Sequence, residues 1–401
     1  MNRRDFLKNT ALASGALLIP SFLKPLELLA ADKIGFKRLV IIQLSGGNDG
    51  LNTIVPFGDD LYYQKRPSLG IDQQTVIKLN ELQGFNPAMQ SLQEIYDQGW
   101  MTILNSVGYP NPDRSHFRSM DIWHTASRAD EYLSTGWIGR YLDSNCATCN
   151  SPHTAIEVDD SLSLALKGQS HKGIAVRNSE QLYRTTREPF FKDVVDDAKQ
   201  SMLSEDNLGY LYKTMIETYS SAKYINDTSK LYKNTTLYPV SAFANELKTV
   251  ATFINSGLNT KVFYVSLSGF DTHVAQRGQQ SRLLKTYADG VATFIKDLNA
   301  SHNLDDTLVL TFSEFGRRVS QNASGGTDHG TANNLFLFGG KLKKAGFFNP
   351  GPNLKDLDNG DLNYEINFRD VYSSILQNWL KASDPSIIKS TRVKTLDLLK
   401  I

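Results

Sequence analysis

The sequence predicts an α/β protein, a three-layer sandwich with a mostly parallel central sheet and helices on both faces. Short, continuously apolar runs recur along the chain, and stretches of helical periodicity separate them. A continuous apolar run marks a strand buried on both sides, and helices between such strands supply the crossovers that parallel pairing needs. A composition of 40% hydrophobic and 10% aromatic residues supports a sizeable core.

The elements follow in order. Residues 38–44 read as the first buried strand, running into a glycine-rich turn. An amphipathic helix over 87–98 leads to a second strand at 100–104, and a helix near 242–255 leads to a third at 261–267. A helix around 283–298 enters a fourth strand at 307–312, and a fifth stands at 335–338. The stretch from about 143 to 238 is more polar and lacks such runs; its part rich in Lys, Tyr and Asp, 193–237, predicts a helical insert or cap.

The amino end carries an address. Arg3-Arg4-Asp5-Phe6-Leu7-Lys8 followed by a weakly apolar stretch has the pattern of a twin-arginine export signal, assigned to 1–31. Ser14, Gly15 and Pro20 interrupt that stretch, which is too short for a spanning helix of roughly 20 apolar residues. Ala30 and Ala31 offer a cleavage point, but Leu28 and Leu29 stand where a small residue is preferred, so an uncleaved anchor stays open. The expected location is the periplasm, cell surface or medium, and the folded domain is 32–401. Beyond such an anchor no segment predicts an integral membrane domain. The formal net charge is +1 with both signs interspersed, which argues against nucleic acid as a partner. Cys146 and Cys149, as C-A-T-C, suit a small-loop disulfide in an oxidising compartment. A zinc site completed by His153 and a redox motif are weaker alternatives.

Chemistry-bearing residues gather where the strands end, and in open α/β sheets sites lie beyond the strands' carboxyl ends. After the first strand comes Ser45-Gly46-Gly47-Asn48-Asp49; after the second, Arg114-Ser115-His116-Phe117-Arg118; after the third, Asp271-Thr272-His273; after the fourth, Ser313-Glu314-Phe315-Gly316-Arg317. Thr327-Asp328-His329-Gly330 precedes the fifth. Asp271 and His273, two apart on an extended backbone, point to one side, as two ligands of one ion do. Carboxylates and imidazoles on one rim suit borderline divalent metals. Ser115, before a helix predicted over 117–125, reads either as an N-cap or as a nucleophile at the positive end of that helix. His124 reads as packing, and His153, His171 and His302 as surface or loop residues.

These motifs, Q-L-S-G-G-N-D-G-L-N, R-S-H-F, G-F-D-T-H, S-E-F-G-R and G-T-D-H-G-T behind a twin-arginine start, resemble the exported proteins grouped as "domain of unknown function 1501" over nearly the whole chain. More distantly, their order resembles the alkaline phosphatase superfamily, with its sulfatases. That resemblance implies an alkaline-phosphatase-like sandwich, one or two divalent ions (zinc, manganese or calcium) and a nucleophile at the position of Ser115. It implies one ion held by Asp271, His273 and His329, and a second held by Asp49, Ser115 and Glu314. The superfamily's Asp-His pair is here Glu314-Phe315, so the second set lacks a histidine, and Asp328 or Asn48 could fill in. Arg114, Arg118 or Arg317 could hold ester oxygens. The implied activity is hydrolysis or transfer of phosphate or sulfate esters, on a small molecule or an envelope polymer. The competing expectation is a non-catalytic envelope protein that keeps the scaffold and binds a metal, glycan or protein.

Overall fold

Strand β1, Arg38–Ser45, runs between two parallel partners, one formed by Val262–Ser268 and the other by Thr307–Phe312. Its unbroken apolar run follows from that position, because both faces are covered. Val40, Ile42 and Leu44 pack into one core cluster while Leu39 and Ile41 pack into another. The computed structural model describes residues 36–145, 151–200, 207–382, 384–389 and 393–400. The export segment and the Cys146/Cys149 pair lie outside the described residues.

The further strands are β2 (Met101–Gly108), β3 (Ala155–Glu157), β4 (Ile174–Ala175), β5 (Val262–Ser268), β6 (Thr307–Phe312), β7 (Asn333–Phe338), β8 (Gly346–Phe347) and β9 (Ile366–Asn367). They form a nine-stranded sheet in the order β8-β2-β7-β6-β1-β5-β3-β4, with β9 also paired to β2. Strand β7 runs antiparallel to both its neighbours, β2 and β6, and the other pairings are parallel. Its reversed direction brings its amino end to the rim where β1, β5 and β6 end.

Helices α1 (His116–Thr125), α2 (Trp137–Asn145) and α8 (Phe368–Ser374) share one core cluster with Leu39 and Ile41. Helices α6 (Ala242–Asn255) and α7 (Gln276–Ala300) share the other with Val40 and Ile42. This is the predicted three-layer sandwich. Helix α6 starts where Ser241 accepts a hydrogen bond from Ala244 N, satisfying an end N–H that the helix cannot pair internally.

The polar stretch 143–238 is not wholly helical: it contributes β3 and β4 to the edge of the sheet next to β5. Strands of two or three residues are too short to show periodicity, which is why the sequence conceals them. Its helices are α3 (Ser179–Thr186), α4 (Pro189–Gln200) and α5 (Asn207–Ser229). Ile225 of α5 joins the cluster of α6 and α7. Among the described residues no helix is long and apolar enough to cross a membrane.

Candidate metal centre

The rim is assembled by close backbone approach. Gly46 and Gly47 follow β1 at φ +117° and +68°. A Cβ on Gly46 would lie 2.4 Å from Asp271 N, and one on Gly47 would lie 2.1 Å from the Phe315 ring. Both the positive φ and the absent side chain are required here. The turn is thus pressed against the segments that follow β5 and β6.

Four side chains meet above it. The Asp271 Oδ1 atom lies 3.0 Å from His273 Nε2, 3.2 Å from His329 Nε2 and 3.5 Å from His116 Nε2, and the Nε2 atoms of His273 and His329 are 2.9 Å apart. One ligand atom each from His116, Asp271 and His329 lie within 4.8 Å of one another.

The outer hydrogen bonds fix the imidazoles. His116 Nδ1 stands 2.9 Å from Glu314 Oε1, and His329 Nδ1 stands 2.8 Å from the Arg114 carbonyl oxygen. Carboxylate and carbonyl oxygens accept, so each Nδ1 carries a proton; on the Asp271 side Nε2 donates when the ring is protonated and offers a ligand lone pair when it is neutral. His116 Nε2 is buried and has no hydrogen-bond partner. The hydrogen bond with Glu314 pushes His116 above the ordinary imidazole value despite burial. Burial lowers His329, against the hydrogen bond that its ring donates to Asp271. At Asp271 burial favours the neutral acid, but the hydrogen bonds with Arg317 and His329 and the Arg317 charge outweigh it and hold the carboxyl at about 2.

Such a set fits a divalent cation. Donors on a tetrahedral zinc ion with bonds of about 2.0–2.1 Å lie about 3.3 Å apart. The separations at Asp271 bracket that figure, and Glu314 and the Arg114 carbonyl supply the outer contacts that metal-bound histidines use.

The predicted site residues separate into groups. Asp271, His273 and His329 come together, with Asp328 behind them, 3.5 Å from His273 Nδ1. Asp49 stands apart in a buried ion pair: its Oδ2 lies 2.5 Å from Arg66 Nη1 and also accepts from Gln276 Nε2. Its Oδ1 has no partner. Glu314, expected as a direct ligand, instead turns Oε1 to Gly46 N and His116 Nδ1. Ser115 is the exposed N-cap residue of α1, and its side chain makes no capping hydrogen bond.

The arginines depart from expectation. Arg317 is buried and donates to the carbonyls of Gly46, Gly47, Phe270 and Thr327 as well as to Asp271, so its role is to position the rim. Arg114 pairs with buried Asp361. Arg118 donates to Arg128, Ala129 and Glu131 carbonyls under the Tyr132 ring. Arg118 and Arg317 are thus buried on backbone carbonyls, whereas Arg114 is exposed and held by a carboxylate. His153, read as a surface or loop residue, is instead buried, with Nδ1 3.2 Å from Ser221 Oγ.

His116 is the residue that sequence reasoning missed. Its ring packs on Phe315 at 4.8 Å between centroids, so an imidazole stands beside the phenylalanine that follows Glu314. The signal was present: a histidine directly after the helix-start serine, in R-S-H-F. Arg66, 17 residues beyond Asp49, left no local signal.

The chain is similar in fold, at low identity, to solved enzymes of the alkaline phosphatase and sulfatase type. The lipoteichoic acid synthase LtaP from Listeria monocytogenes matches at 11% identity and TM-score 0.37, over 91% of this chain and 74% of that one. The PsFucS1 sulfatase from Pseudoalteromonas sp. matches at 11% identity and TM-score 0.37, over 88% and 70%. A protein in the alkaline phosphatase superfamily from Vibrio parahaemolyticus matches at 11% identity and TM-score 0.34, over 76% and 60%. No curated protein matches the chain. Residues 248–377 match the family described as Protein of unknown function (DUF1501), the family that the sequence motifs resemble.

Proposed function

We propose that this chain is an exported, metal-dependent hydrolase or transferase of phosphate or sulfate esters, with His116, Asp271, His273 and His329 holding one divalent cation. The observation that carries the proposal is the convergence of the His116 and His329 imidazoles, each held through Nδ1 by an outer oxygen, on the Asp271 carboxylate. A bound divalent cation would supply Lewis-acid charge to an ester oxygen. Glu314 and the Arg114 carbonyl hold the imidazoles in their ligand tautomers. Ser115 is the nucleophile of this reading: it sits at the amino end of α1, between the residue whose carbonyl fixes His329 and a ligand. One ion is favoured over two, because Glu314 is spent on His116 and Asp49 on Arg66. The 1–31 segment supports twin-arginine export, which confines the ester to the periplasm, surface or medium.

Metal analysis of protein purified without chelator is expected to give about one zinc, manganese or calcium per chain, lost in Asp271→Asn. A panel of phosphate and sulfate esters is expected to show turnover that Ser115→Ala lowers by several orders of magnitude. Bound metal with no turnover on any ester supports the second reading, a non-catalytic metal-binding envelope protein. One observation favours that reading: Arg114, Arg118 and Arg317 are all committed to internal partners. No metal under either purification or titration defeats both.

A further inference from the structure

Beside the cluster lies a cavity of about 110 Å³, walled among others by Tyr109, Trp123, Glu314, Thr331 and Tyr364. Two of these residues hold buried polar atoms with unmet bonding capacity, and the two are complementary. Trp123 is buried with Phe312 and Phe368 stacked on its indole at 4.8 and 4.2 Å, and its Nε1–H has no acceptor. Glu314 is also buried. Its Oε1 takes Gly46 N and His116 Nδ1, whereas Oε2 has only Ser313 Oγ, at 3.3 Å. That hydroxyl owns one proton, and Leu44 O stands closer to it, at 2.7 Å. Oε2 therefore shares its one donor with Leu44 O and keeps the capacity to accept a further hydrogen bond.

Buried polar atoms in native proteins find partners, so a donor and an acceptor left open on one cavity wall call for a group that can answer both. A hydroxyl both accepts and donates. On this measure one water needs about 10–15 Å³, so the cavity has room for a small organic group of several non-hydrogen atoms.

We propose that this cavity is the subsite for the alcohol part of the ester and selects a vicinal diol, which accepts from Trp123 Nε1–H and donates to Glu314 Oε2. The proposal rests on the ester-processing role above. It makes Trp123 and Glu314 specificity-determining residues, with the mouth bordered by the partly exposed Tyr364.

The test follows the Trp123 indole N–H by NMR in nitrogen-15-labelled full-length protein, which has four tryptophans. Trp123→Phe assigns its resonance; should that variant not fold, Trp100→Phe, Trp137→Phe and Trp379→Phe assign it by elimination. Ethylene glycol is expected to move the resonance saturably. Acetone, of similar size but able only to accept, is expected to bind at least ten times more weakly. No saturable movement, or equal affinity for the two, overturns the subsite. Metal content of the same sample separates the two proposals. A metal-loaded protein with an unmoved indole loses the subsite and keeps the ester reading. A protein that takes no metal but whose indole moves loses the ester reading, and with it the subsite's role in ester chemistry.

Discussion

Asp49 and Asp271 follow neighbouring strands, β1 and β5, yet they live in opposite surroundings. The Asp49 side chain is fully buried and its charge is met within the protein by Arg66, with Gln276 beside it. The Asp271 side chain is 49% exposed and its Oδ1 faces three imidazoles as well as Arg317. The same residue type thus does two jobs, and the difference lies in what the protein supplies. Where a guanidinium arrives from inside, the carboxylate holds the fold. Where the carboxylate is half exposed and shares its guanidinium with three imidazoles, it keeps a side open to something that comes from outside.

The sharpest way to break this contrast is to remove the internal cation. Arg66→Met strands the Asp49 carboxylate in the interior and is expected to cost about 3–5 kcal/mol of unfolding free energy, read by urea denaturation. Histidines extend the comparison from carboxylates to imidazoles. Burial pushes His124 down to about 4, while the Glu314 hydrogen bond pushes His116 up. The unfolded value is about 6.5, so below it the unfolded chain takes a proton that folded His124 refuses. Stability is therefore full above pH 6.5 and falls as the pH drops toward 4, by at most about 3 kcal/mol from this residue. His153, also pushed by burial to about 4, adds to the same slope. Denaturation measured at several pH values should show the slope, and His124→Gln should reduce it.

A smaller effect is expected at the outer contact. Glu314→Gln keeps the volume but weakens the hold on His116, and should lower metal affinity about 10- to 100-fold in a competition titration. The smallest effect concerns stability at the rim. Asp271→Asn preserves an acceptor for Arg317 but removes the charge that this guanidinium faces, and in view of the half-exposed site should cost only about 1 kcal/mol of unfolding free energy. A loss as large as that of Arg66→Met would erase the distinction between the two aspartates.

Much of this was legible in the sequence because it rests on local pattern. The five long strands were readable from their apolar runs, and Asp271 with His273 from a spacing of two. His329 stood out in a glycine-rich loop before a strand. What could not be read depends on distant pairing. Nothing near Asp49 announces Arg66, and Glu314 looks like a ligand until His116, 198 residues away, is seen against it. Arg317 looks like an anion binder until its carbonyl partners from three other segments are in place. The edge strands β3 and β4 escaped because so few residues carry no period.

The four rim residues are scattered through the chain, and the last of them, His329, comes in the loop that leads into the antiparallel β7. No contiguous stretch from the later half can reproduce the centre. A fragment beginning at Val262 would carry Asp271, His273, Glu314 and His329 and still lack His116. Split between β1–β2 and β5–β7, the protein would regain the centre only by reassembling its sheet, which makes the centre a natural reporter for fragment complementation.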